Sequence, residues 1–149
     1  MAAGDVVVFN QFLQDIGRAV HQLETDTIRF ALITNAVTPS ATTSDPRWGA
    51  GGGTNFDTNE VSAGGNYTAE GGDISATYSQ SAGTATFYGT DISIAQHASN
   101  PTNARWGIIY NDTATGNQAI AFLDLGAVID LTAGSFTVTW NASGIFTLA

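Results

Sequence analysis

The chain has 149 residues, a net charge of −9 and no cysteine, and its four basic residues, Arg18, Arg29, Arg47 and Arg105, are all arginine. That length suits one domain, residues 1–149, able to bury a core without a staple, and the missing cysteine excludes disulfides and thiolate chemistry. Four scattered arginines without a lysine lack the clustered basic footprint of nucleic-acid binding, so no nucleic-acid partner is expected.

The opening stretch MAAGDVVVFNQF carries neither a basic n-region nor a long apolar h-region, so no secretory signal is expected there. Phe9, Phe12, Leu13 and Ile16 recur at helical spacing, which predicts one short helix over about 8–17 with that face toward the core. Gly17 is the expected C′ residue. The opposite face, Asn10, Gln11, Gln14 and Asp15, is neutral to acidic, which argues against a membrane-surface role.

Beyond the helix the pattern alternates. In DTIRFALIT, Ile28, Phe30 and Leu32 oppose Thr27, Arg29 and Ala31; in SFTVTW, Phe136, Val138 and Trp140 oppose Thr137 and Thr139. This is the period of half-buried strands. ATYSQS, TATFYG, DISIA, RWGIIY and AIAFLDL read the same way, and AVHQLE reads as a further strand with His21 on its exposed face. NDTATGNQ joins two strands as a long hairpin loop, LTAGS and NASG read as turns, and Gly126 marks a bulge or bend. The fold class expected is mainly β: an antiparallel sandwich or barrel, jelly-roll-like, of seven to nine strands with one short N-terminal helix. AIAFLDLGAVIDL is too short and too charged to span a bilayer, so no membrane partner is expected.

Residues 35–72 differ. They hold eight of the seventeen glycines, centred on PRWGAGGGTNF, with little apolar periodicity. A long loop of this kind is often functional. It is expected to be an extended arm or lid ordered against a neighbour, with Trp48 and Phe56 as anchors and Arg47 and Tyr67 as further contacts. The alternative is a loop folded back on its own domain with Trp48 capping the core.

No constellation nominates chemistry. A phosphate-binding loop needs a Gly-rich turn ending in Lys-Ser or Lys-Thr, and there is no lysine. A dinucleotide fingerprint needs a following helix, but AGGNYTAEGG runs into DISATYSQS, which reads as strand. The glycine pairs 64–65 and 71–72 are better explained as tight-turn positions at strand ends, with Tyr67 a core or edge aromatic. His21 and His97 lack partners at metal-ligand spacing, and His97 reads as an exposed loop residue. No GxSxG elbow is present. Asn55, Asp57, Asn59 and Glu60 resemble part of a calcium loop, but without its glycine and spaced final glutamate they read as a polar loop. No catalytic residue, cofactor or metal is expected.

Four stretches, LETDTIRFALITNA, NEVSAGGNYTAEGG, ARWGIIYNDTATGNQAIAFLDLG and SFTVTWNASGIFTL, taken in that order, resemble a family of small tailed-bacteriophage virion proteins. The resemblance runs from about residue 10 to the C-terminus; the ATTSDPRWGAGGGTNF insert departs from it. Members are commonly encoded beside the major capsid protein and described as head decoration or cement proteins. The resemblance implies a non-enzymatic structural protein on the capsid exterior of the virion. Its partner would be the major capsid protein, and it would form a homo-oligomer, dimer or trimer. A tail or baseplate protein, or a glycan- or receptor-binding module, is the alternative.

Overall fold

The computed structural model describes residues 2–49 and 51–149. Among the described residues it is mainly β, with twelve strands against the seven to nine expected, paired antiparallel except for one two-residue pair, and one α-helix, α1 (Asn10–Gly17). The central sheet has the order β1 (Val6–Val8), β10 (Ala119–Ile129), β9 (Ala104–Asn111), β2 (Ile28–Ile33), β5 (Gly72–Asp73). Both of its faces are covered. Ile28, Phe30 and Leu32 point into one core, while Ala31 and Ile33 point into the other. This explains why β2, β9 and β10 carry nearly continuous apolar runs instead of clean alternation.

One face of the central sheet packs on a second layer. There β6 (Thr77–Ser81) pairs with β7 (Thr84–Tyr88), and β7 with β12 (Phe146–Leu148). β8 (Ile92–Ile94) pairs with β11 (Phe136–Val138). β7 and β8 follow one another along a bent line, as do β11 and β12. The ladder is interrupted between the Val138–Ile92 and Phe146–Phe87 pairs. Trp140 spans the interruption, its amide donating to Asp91 Oδ1 and its indole Nε1–H to the Thr90 carbonyl.

The other face is covered by the segment after β2. It contributes the short parallel pair β3 (Pro46–Arg47) and β4 (Thr54–Asn55) and a 3-10 turn over Phe56–Asn59. Its core is aromatic. Trp48 stacks on Tyr110 at 4.9 Å and 11°, and Phe9 lies 5.8 Å from Phe56 and 5.1 Å from Phe122.

Several expectations are corrected. Residues 19–24, AVHQLE, form turns and no strand. Only half of the expected helix face is buried: Phe9 and Phe12 are inside, whereas Leu13 is 58% exposed and Ile16 37% exposed. The buried face is turned toward Phe9, Phe12 and Asp15, at three-residue spacing along both turns, and Leu13 and Ile16 fall outside it. Gly17 is the last helical residue, and Ala19 takes the left-handed C′ position at φ 58°. The Val20 amide bonds Asp15 O and the Ala19 amide bonds Ile16 O, the two bonds of a Schellman cap. Gly126 does mark a bend: at φ +81° it sits where the β9–β10 register shifts between Asp124 and Ile129.

Candidate functional site

The four residues expected to meet a neighbour are built into the chain's own fold. Trp48 is 2% exposed, Phe56 0% and Tyr67 5%. The Trp48 amide donates to Asn117 O in the hairpin loop, which pins the segment to the β9–β10 turn. Arg47 makes a paired contact with Asp45, Nε to Oδ1 and Nη2 to Oδ2, both at 3.1 Å. The run of glycines lies against this pair. A Cβ at Gly52 would collide with the Asp45 carbonyl and the Arg47 stem. Close approach explains Gly52 and Gly53, and a φ of +98° explains Gly51; the free-arm expectation gives way to a loop folded back on its own domain with Trp48 capping the core.

NEVSAGGNYTAEGG covers the edge of β2. Past its two-residue pairing with β5, the Leu32 amide donates to the Tyr67 hydroxyl at 3.0 Å. Leu32 O in turn accepts from the Val61 amide. Tyr67 Oη donates to Glu60 Oε1 at 2.9 Å, and the Glu70 amide donates to the same oxygen at 2.6 Å. A phenol thus stands in for a missing strand residue. Burial pushes the Tyr67 and Glu60 pKa values up, and for Glu60 the two donated hydrogen bonds offset part of that rise. Gly71, at φ +67°, lets the chain turn back against β2, where a Cβ would fall on the Phe30 carbonyl. Two of the four residues of the suspected calcium loop use a side-chain oxygen internally: Asn55 Oδ1 takes the Gly52 amide, and Glu60 Oε1 has the partners just named. Among the described residues no group of three or more His, Asp or Glu is placed to hold a metal ion.

His21, expected on an exposed strand face, is buried beside Phe12. Asn111 Oδ1 accepts from the Thr113 and Ala114 amides, so its amide orientation is fixed. Its Nδ2 group then donates to Asp26 Oδ2 at 2.6 Å and faces His21 Nδ1 at 3.1 Å. The network therefore assigns His21 as neutral, with the proton on Nε2. Burial lowers its pKa, opposed by Asp15 and Asp26. His97 is exposed, as expected.

A cleft of about 690 Å³ lies on the opposite side of the molecule from β5, where the two layers of the sandwich part. At the β5 side the chain itself joins the layers, running from β5 directly into β6, and a smaller cleft of about 240 Å³ remains between β5 and β8. At the other side β1 ends the central sheet, and β11 and β12 end the second layer. Between them lies an apolar floor that includes Leu123, Leu125, Phe136 and Ile145. Three acids, Asp5, Asp124 and Asp130, line the cleft, and among the described residues no basic side chain does. Asp124 is held by Arg105 Nη1 and the Gly126 amide, and the arginine contact keeps its carboxyl below the usual range. Sequence reasoning missed this cleft. Its signals were present, in the VVV run and the Trp140 segment, but strand patterns do not say which edges remain unpaired.

Neither a protein-family model, nor a curated protein, nor a solved structure matches the chain. No helix among the described residues is long and apolar enough to cross a membrane.

Proposed function

We propose that this chain is a bacteriophage capsid decoration, or cement, protein that binds the major capsid protein lattice on the outside of the head and stabilises it. The observation that carries this reading is the set of four motif stretches. In the structure they form the frame: LETDTIRFALITNA supplies β2, ARWGIIYNDTATGNQAIAFLDLG the β9–β10 hairpin, SFTVTWNASGIFTL β11 and β12, and NEVSAGGNYTAEGG the cover of the β2 edge. A sheet packed on both faces is a body suited to a static load. Individual contacts can be weak, because many copies on one lattice act together. Dimers or trimers belong to the same proposal, since repeated virion parts close by symmetry.

The test is co-sedimentation of the purified protein with capsid shells that lack it. Pelleting with saturation at a fixed ratio to the major capsid protein is expected. A folded protein that stays in the supernatant overturns the reading. A tail, baseplate or glycan-binding role is the second reading. It is favoured by the half-buried Trp140 ring beside Thr137, Thr139 and Asn141 in the cleft, because aromatic faces stack on sugars. Signal on a glycan array, or antibody labelling of tails and not heads, selects it.

A further inference from the structure

We propose that the cleft between β1 and β11 binds an extended, basic segment of a partner polypeptide, which adds as a strand and closes the open side of the sandwich. This goes beyond the decoration reading and does not depend on it.

Three observations meet at the cleft. First, it has a strand edge on each side. Among the described residues β1 pairs with β10 alone and β11 with β8 alone, so each presents unpaired backbone groups outward. An incoming strand satisfies such groups through main-chain hydrogen bonds, while alternate side chains set specificity. Three-residue edges are also a common way to blunt self-association. What distinguishes these is the second observation, the apolar floor between them. Leu125, Ile129 and Val138 are only half-buried there and pack against the main core. The alternate side chains of an added strand would cover them. Third, the rim is acidic. Asp5 and Asp130 are exposed, and among the described residues no basic side chain lines the cleft. Opposite charge on the outward side chains of the segment complements that rim.

A second copy of this chain is a poor occupant. It has no lysine, and three of its four arginines are ion-paired inside the fold: Arg29 with Asp112, Arg47 with Asp45 and Arg105 with Asp124. The partner is therefore a different polypeptide, one with lysine or arginine alternating with β-branched residues.

The test is an amide-shift titration of the full chain by NMR with three capped eight-residue peptides. They are alternating Val-Lys, alternating Val-Glu, and the Val-Lys peptide N-methylated at every second amide. The Val-Lys peptide is expected to shift residues 4–8 and 134–145, and the other two are not. The double variant D5N/D130N should weaken Val-Lys binding roughly 3- to 10-fold at low salt. Equal binding of the methylated peptide overturns strand addition, and equal binding of the Val-Glu peptide overturns the charge argument. Shifts scattered over the acidic surface, or none at millimolar peptide, overturn the site. Shifts in the cleft with an oligosaccharide and not with the peptide would make it a glycan site instead. Shell co-sedimentation is a separate experiment, so failure here leaves the decoration reading to stand or fall alone.

Discussion

The segment 35–72 and the side of the molecule between β1 and β11 are opposites. In sequence the first looks loose, rich in glycine and poor in periodicity. In the structure it is closed, with Trp48, Phe56 and Tyr67 buried and its backbone bonded to β2 and to the hairpin loop. The second is made of ordinary strand patterns, yet it is where the sandwich is left open. Glycine here marks where backbone must come close to something, not where chain is free. Openness follows from which strand edges find partners, a long-range property that local pattern does not carry.

The largest expected effect is on the closed side. Gly71→Ala places a Cβ on the Phe30 carbonyl at a positive φ and should cost about 3 kcal/mol or more, read as a shift of the urea midpoint. Trp48→Ala should cost about 3–5 kcal/mol, because it empties a stacked, buried site. Trp140→Ala, on the open side, should cost less, about 1–2 kcal/mol, from partial burial and one lost hydrogen bond. Equal losses for the two tryptophans would break the contrast between the regions. Next comes Tyr67→Phe, which strands the Leu32 amide and one Glu60 interaction and should cost about 1–3 kcal/mol.

The pH dependence has two limbs. His21 is held below its ordinary value, so the stability it contributes is complete above a pH near 6.5 and falls as pH drops from there toward the folded value. Asp124, lowered by Arg105, acts in the same direction at more acidic pH: its contribution is present above the usual aspartate range and is lost as pH falls through the depressed value. Tyr67 and Tyr110 are raised, chiefly by burial, so their contribution is complete below about pH 10 and is lost as pH rises. His21→Gln should flatten thermal stability between about pH 7 and 5 while leaving the alkaline limb unchanged. A slope that persists in that window would mean another group carries it. The smallest effect is a gain: Ala19→Gly relieves a left-handed residue in the Schellman cap and should add about 0.5–1 kcal/mol.

Much of the fold was legible locally. The mainly β class, the β9–β10 hairpin, the bend at Gly126 and the short helix follow from period, turn chemistry and composition. Errors arose where tertiary placement overrode local pattern. Leu13 and Ile16 share a helical face with Phe12, but the face that is buried is turned toward Phe9, Phe12 and Asp15. AVHQLE alternates, yet the Schellman cap and the Asn111 network fold it into turns. The two-residue strands β3, β4 and β5 carry no periodic signal at all. Size and setting single out the candidate contact residues, and the same size makes Trp48 and Phe56 core residues here. The cleft depends on the pairing of β1 and β11, which only the assembled sheets display.

Amide hydrogen exchange, run on the free protein and again on protein bound to shells, tests the contrast most directly. In the free protein the Trp48 and Val61 amides, bonded to Asn117 O and Leu32 O, should exchange with the slow core, while residues 4–8 and 134–145 include fast edge amides. Taken together, the decoration reading and the cleft proposal put the shell on that open side, so binding should slow exchange there and leave 44–49 and 51–61 unchanged. Fast exchange across 44–61 in the free protein, slowed by binding, would contradict the account and restore that segment as an arm.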